Sequence, residues 1–211
     1  PPRSTLSSSS AASDVYKRQL WSWGYNNYGQ LGQNNRTQYS SPTQIPGTNW
    51  SEVTACQSHY LATRTDGTLW TWGMNSNGQL GQNEVQPGDG GYSSPVQIPG
   101  STWKSVKCGY YMMLATKTDG TLWSWGYNSH GQLASNSNAV YSSPVQIPGT
   151  TWAEPEIGSL SCYATRTDGT LWAWGEAHRG SLGLNEENIR RSSPTQIPGT
   201  NWSTTGLHGH G

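Results

Sequence analysis

The stretch LWSWGYNNYGQLG at residues 20–32 decides the fold, because it returns as LWTWGMNSNGQLG at 69–81, LWSWGYNSHGQLA at 122–134 and LWAWGEAHRGSLG at 171–183. Copies that start at 20, 69, 122 and 171 are spaced 49, 53 and 49 residues apart. Self-similarity at that period is a property of propeller blades and exceeds that of most helical repeats. Cutting at each LWxWG gives units 20–68, 69–121, 122–170 and a partial 171–211.

Inside each unit the punctuation is that of β-structure. ATRTDGTLWTWG (62–73) sets Asp66-Gly67 between two runs of strand-forming residues, a strong hairpin signal, and Asp119-Gly120 and Asp168-Gly169 repeat it. The residues before this turn have room for two strands. SSPTQIPG after the GQLG loop reads as a short, proline-bracketed edge strand. Each unit thus offers about four strands, and no stretch carries apolar residues at helical spacing. The fold class that follows is all-β: a partial β-propeller of about four four-stranded antiparallel blades.

Side chains alternate faces along a strand, so in Leu20-Trp21-Ser22-Trp23-Gly24 the two indoles share a face and smaller residues share the other. The pattern recurs at Trp70/Trp72, Trp123/Trp125 and Trp172/Trp174, and a third tryptophan follows each Ile-Pro-Gly at 50, 103, 152 and 202. The chain has twelve Trp and no Phe, so tryptophan is expected to build the core between blades. Gly24 and Gly29, with Gly73, Gly78, Gly126, Gly131 and Gly175 in the later copies, are expected to permit a tight loop or a close chain approach. Leu31, Leu80 and Leu133 should plug the blade interfaces.

These motifs, WxWGxNxxGQLG and ATxTDGxLWxWG, resemble the regulator of chromosome condensation repeat family over residues 20–211. Trp23, Gly24, Asn26, Gly29, Gln30, Leu31 and Gly32 carry the signature, and Asp66-Gly67 the hairpin. The resemblance implies a seven-bladed propeller with four antiparallel strands to a blade, of which this chain would be a fragment, since four blades cannot close such a ring. It also implies a choice of roles. Family members include an exchange factor for a small GTPase, an ultraviolet-B photoreceptor and proteins used only for binding. The photoreceptor's Gly-Trp-Arg-His-Thr is met here by Gln57-Ser58-His59-Tyr60, which removes that role. Two departures stand out: Pro155 replaces the valine of the other copies and should disturb its strand, and the fourth copy has Glu176-Ala177 and Ser181 in place of Tyr-Asn and Gln.

A search for chemistry turns up no reacting constellation, so the reading is of a protein that is not an enzyme and holds no metal or cofactor. Asp66, Asp119 and Asp168 are explained by their turns. Glu154 and Glu156 flank Pro155 as a solvated edge, and His208 and His210 lack further ligands at the chain end. The three cysteines, Cys56, Cys108 and Cys162, drift in alignment and read as small buried hydrophobes and not as a disulfide framework. Formal net charge is zero, with no basic cluster, so direct contact with nucleic acid is not expected. No apolar run reaches membrane-spanning length.

What varies among the units is the loop after GQLG, and loops on a rigid frame are where binding concentrates. The candidate partner contacts are Asn35 and Arg36, Glu84, Gln86 and Asp89, Asn136 and Asn138, and Arg190 and Arg191. The first reading is a non-enzymatic scaffold holding a protein partner; the alternatives are an exchange regulator of a small GTPase and a carbohydrate-binding surface. Open, tryptophan-lined end faces would make such an arc self-associate.

Residues 1–19, PPRSTLSSSSAASDVYKRQ, share nothing with the repeats and resemble a translated sequencing adapter. They are expected to be a non-native, disordered segment, with the natural chain continuing upstream of Leu20.

Overall fold

Every Asp-Gly turn closes a hairpin at the register its sequence implies, and three such hairpins organise three four-stranded sheets. The computed structural model describes residues 18–203, and residues 9–14 as backbone. A first sheet joins β1 (Ser9–Asp14), β2 (Gln19–Gly24) and β3 (Tyr39–Gln44). A second runs in order β4 (Trp50–Ala55), β5 (His59–Arg64), β6 (Leu69–Met74) and β7 (Gly91–Ile98). The third repeats it as β8 (Trp103–Cys108), β9 (Met112–Lys117), β10 (Leu122–Gly126) and β11 (Tyr141–Ile147). The fourth is β12 (Trp152–Ile157), β13 (Ser161–Arg166), β14 (Leu171–Glu176) and β15 (Arg190–Ile197). All pairings are antiparallel, and a 3-10 turn at His178–Gly180 is the one helical element among the described residues. Sheets begin at the tryptophan after Ile-Pro-Gly, so each sequence unit cut at LWxWG straddles two sheets.

The core lies between sheets. One cluster joins Leu20 and Ile45 of the first sheet to Trp50, Tyr60, Ala62 and Trp72 of the second. Another joins Leu61, Leu69 and Ile98 to Trp103, Val106, Met113 and Trp125 of the third. A further one joins Leu114, Leu122, Leu133 and Ile147 to Trp152, Cys162, Ala164 and Trp174 of the fourth. Apolar surface is thus removed from water mainly where neighbouring copies meet, as in other stacked repeats. Trp72, Trp125 and Trp174 are fully buried, and Trp50, Trp103 and Trp152 nearly so, whereas Trp202 is 42% exposed.

Three expectations need correction. Cys56 and Cys108 form a disulfide that ties β4's end to β8's end across the seam between the second and third sheets, and Cys162 is the free, buried thiol. Their drifting alignment hid the pairing, since bridged residues need be close in space and not equivalent in sequence. Pro155 leaves its strand as long as β4 and β8, and it pairs with Ala164 where Val53 pairs with Ala62. β12 is a sheet edge, where a missing N–H donor costs nothing to the ladder. Within residues 1–19, Ser9–Asp14 is strand β1 and not disordered, because β2 presents a free edge to pair with. Residues 1–8 and 15–17 lie outside the described residues, as do His208 and His210.

Candidate functional site

The strands alternate in direction, so two kinds of connection emerge at one end of each four-stranded sheet: the short turn between the first and second strands, and the GQLG loop or its fourth-copy counterpart between the third and fourth. Backbone hydrogen bonds join them, as in Met74 N to Ser58 O at 2.8 Å, Tyr127 N to Tyr111 O at 2.9 Å and Glu176 N to Leu160 O at 3.0 Å. Gly73 must approach at this point: its φ is 98°, and a Cβ there would lie 2.4 Å from Ser58 O.

Buried polar side chains shape each GQLG loop from within. Asn26 accepts from Leu31 N through Oδ1 and donates from Nδ2 to Asn35 O and Thr37 O. Gln30 Oε1 accepts from Tyr28 N at 3.0 Å. Asn75/Gln79 and Asn128/Gln132 repeat these roles. The backbone carbonyl of the same glutamine then reaches across the seam, taking a hydrogen bond from Trp72 Nε1 at Gln30, Trp125 Nε1 at Gln79 and Trp174 Nε1 at Gln132. The loop's next turn docks on the outer strand of the following sheet: Asn34 N donates to Ser93 O, Asn83 N to Ser142 O and Asn136 N to Ser192 O, each at 2.7 Å. In the fourth copy Ala177 and Ser181 cannot play these parts, and the 3-10 turn takes the loop's place.

The candidate partner residues divide on this frame. Arg36 and Asp89 are exposed and brought together, the Arg36 guanidinium donating to Asp89 O at 2.9 Å and so linking two loops. Glu84 and Gln86 are turned inward on one another at 2.6 Å, with Tyr92 donating to Glu84 as well. Asn35 is likewise taken up by Gln33 O, Tyr39 and Thr37 N. Asn136 and Asn138 are exposed, Arg190 lies 3.6 Å from Glu176 and Arg191 2.5 Å from Glu186.

Composition of the turns supplies residues that the loop comparison missed. Tyr110 is 57% exposed and stands edge-on to Tyr111 at 4.8 Å; Tyr111 neighbours Tyr127, and Tyr127 neighbours His130. His130 Nδ1 lies 2.8 Å from Glu176 Oε2, which carries the row from the third sheet to the fourth. Partial burial, with Tyr110 and Tyr28 nearby, raises the Tyr111 hydroxyl above its ordinary pKa, so Tyr111 stays a neutral phenol. The signal in sequence was Tyr110-Tyr111 at the turn where the other copies have Ser58 and Leu160.

At the opposite end, each hairpin repeats one network. Asp66 Oδ1 accepts from Thr68 Oγ1 and N, and Thr68 Oγ1 accepts from Trp70 Nε1; Asp119/Thr121/Trp123 and Asp168/Thr170/Trp172 do the same. Those bonds from threonine hold the three carboxyls below their usual pKa. Arg64, Lys117 and Arg166 each lie over two indoles, 4.2–4.5 Å from the ring centroids. A basic residue two positions before each hairpin aspartate was legible in the sequence and marks these brackets.

The regulator of chromosome condensation (RCC1) repeat model matches residues 19–63, 66–116, 119–154 and 168–204. The chain belongs to that family. A second RCC1 repeat model matches 52–79 and 103–132. The chain is 33% identical over 128 residues to Protein RCC2 homolog of Danio rerio, covering 56% of this chain and 24% of that protein. It is similar in fold to Prp20p from Saccharomyces cerevisiae, described with its binding to Gsp1p and histones, with a TM-score of 0.79 at 19% identity over 92% of this chain and 49% of that one. Human WBSCR16 gives 0.76 at 23% identity over 90% and 50%. The RCC1-repeat chain therefore spans about half the length of the two solved structures and about a quarter of the RCC2 homolog. Among its described residues no group of three or more His, Cys, Asp or Glu is placed to hold a metal, and no helix is long and apolar enough to cross a membrane.

Proposed function

We propose that the chain is part of a non-enzymatic protein-binding scaffold, whose partner seats on the face built by the GQLG loops and the short turns. The observation that carries this is the Tyr110–Tyr111–Tyr127–His130 row, set on a hydrogen-bonded frame of turns and GQLG loops. Tyrosine and arginine are the residues that anchor protein interfaces, and a fixed frame lowers the ordering cost of binding. Arg190, 3.6 Å from the same Glu176 that meets His130, adds a polar contact at the edge of the row, and the exposed Arg36, Asp89, Asn136 and Asn138 are further candidate contacts on the variable loops. A second reading, exchange on a small GTPase, is supported by the likeness to Prp20p and its binding to Gsp1p.

Surface plasmon resonance of the chain against Gsp1p and against histones tests both readings. Binding that falls at least about tenfold in a Tyr110→Ala/Arg36→Ala double variant of unchanged circular dichroism supports the loop face, as loss of two anchors should cost more than 1.4 kcal/mol. Binding indifferent to the double variant overturns it. Accelerated nucleotide release from Gsp1p in the same mixtures selects the exchange reading.

A further inference from the structure

Besides its disulfide, the seam between the second and third sheets differs from its counterparts in the cation laid over the indoles. Where Arg64 and Arg166 lie across their indole pairs, the third sheet has Lys117 over Trp103 and Trp123. A Cβ placed on the glycine of each Ile-Pro-Gly gauges the room in front of the cation. On Gly47 it would lie 2.5 Å from Arg64 Nη2 and on Gly149 3.3 Å from Arg166 Nη2, but on Gly100 it would be 3.9 Å from Lys117 Nζ. The compact ammonium stops short of the space that a planar guanidinium fills. A cavity of about 300 Å³ opens there, with Lys117, Trp103 and Trp123 on one side and Ile98, Pro99 and Pro144 among its apolar walls.

Two donors converge on this cavity. The Lys117 ammonium makes no hydrogen bond or ion pair with any described residue and rests on the Trp103 and Trp123 rings, and none of the lining residues is acidic. Its nearby carboxylate, Asp119, is engaged by Thr121. Trp103 is only 4% exposed, yet its Nε1 donates to no described group, whereas Trp152 Nε1 at the equivalent place donates to Pro148 O at 3.2 Å. Trp50 Nε1 is also unpaired, but there Arg64 occupies the space in front of the glycine. Lys117 Nζ and Trp103 Nε1 both lie 3.9 Å from the Gly100 Cβ position, so a single acceptor group can face both.

An ammonium and an indole N–H are donors only, and a buried donor calls for an acceptor. One positive charge balances a monoanion, and apolar walls favour an apolar body behind it. We propose that this cavity binds a small apolar monocarboxylate, paired by Lys117 Nζ and hydrogen-bonded by Trp103 Nε1. The site lies at the seam, where Gly81, Gln82 and Asn83 at the end of the second GQLG loop also line it, and it stands independently of the partner assigned to the loop face.

Calorimetry and ligand-observed saturation-transfer NMR on the chain test the site with four probes: benzoate, benzamide, N-acetylleucine and inorganic phosphate. The free acid and a peptide's C-terminal residue present the same group, and the relative affinity for benzoate and N-acetylleucine distinguishes them. Binding of either carboxylate is expected, with benzamide and phosphate at least about tenfold weaker, the loss of one charge-assisted hydrogen bond. Lys117→Arg installs the side chain that both neighbouring sheets carry, so circular dichroism should be unchanged while carboxylate binding falls at least about tenfold. Equal binding by Lys117→Arg, benzamide or phosphate binding as tightly as benzoate, or no carboxylate binding by the parent chain would each overturn the proposal.

Discussion

Trp125 Nε1 donates to Gln79 O at 3.0 Å across the seam between two sheets, and Trp72 with Gln30 and Trp174 with Gln132 repeat the bond. The indole that fills the seam also satisfies the carbonyl that its own bulk removes from water. Core and hydrogen bond are therefore one device, used once per seam.

Trp125→Phe should destabilise the chain by about 2–4 kcal/mol, from a buried carbonyl left without its donor and a smaller ring in a filled seam. Trp172→Phe should cost less than half as much, since Trp172 is partly buried and its Nε1 bonds to Thr170 within its own hairpin. Urea unfolding monitored by circular dichroism compares them, and equal losses would refute the seam's special role.

The Cys56–Cys108 bridge encloses a loop with a sequence separation of 52 and joins two sheets otherwise held by packing and by hydrogen bonds such as Trp125 Nε1 to Gln79 O and Asn83 N to Ser142 O. Reduction, or Cys108→Ser, should lower stability by about 2–4 kcal/mol. Thiol titration checks the pairing directly: unreduced protein should show no reactive thiol when folded, because Cys162 is buried and burial raises its pKa well above normal. In denaturant one of the three cysteines should react. Three reactive thiols in unreduced, denatured protein would refute the bridge.

The repeat period, the Asp-Gly hairpins and the periodic tryptophans were legible because each is local and recurs: a strand's alternation and a turn's chemistry are written in adjacent residues. The all-β propeller followed from them. Contacts between copies were less legible. Nothing next to Gln79 says that its carbonyl, and not its side chain, meets Trp125, and Cys56 and Cys108 sit at unequal offsets in their units. The loop face was readable in part, since variable length marked the loops but hid that Glu84 and Gln86 serve their own loop. Tyr110 and Tyr111 lie in a turn that the loop comparison passed over.

His59 is fully buried with neither ring nitrogen hydrogen-bonded, and burial lowers its pKa from 6.5 to about 3. The folded state holds the neutral ring while the unfolded chain protonates near 6.5, so the unfolded state binds more protons between those values. The stability that neutral His59 supplies is complete above pH 6.5 and is lost as pH falls toward 3. At pH 4.5 the loss should be about 2–3 kcal/mol. Met112 occupies the matching position in the third sheet, so His59→Met should fold and should flatten the stability profile between pH 6.5 and 4.5. An unchanged slope would place the acid sensitivity elsewhere.

Gly78 has φ of 71°, and a Cβ there would lie 2.7 Å from both Cα and Cβ of Ser142 in the next sheet's outer strand. Gly88 has nearly the same φ, 70°, but a Cβ on it would meet nothing within 4 Å. The pair separates two costs that glycine avoids. Gly88→Ala should cost only the left-handed backbone penalty, about 1–2 kcal/mol. Gly78→Ala adds a clash with backbone that cannot swing aside, and it forces apart the seam where Asn83 N bonds to Ser142 O. Its cost should exceed that of Gly88→Ala by at least about 1 kcal/mol, within the range for overpacking a filled site. Hydrogen exchange at Asn83 should also accelerate in Gly78→Ala and not in Gly88→Ala. Similar losses from both substitutions would mean that the left-handed turn, and not the close approach of neighbouring sheets, fixes glycine in the GQLG loop.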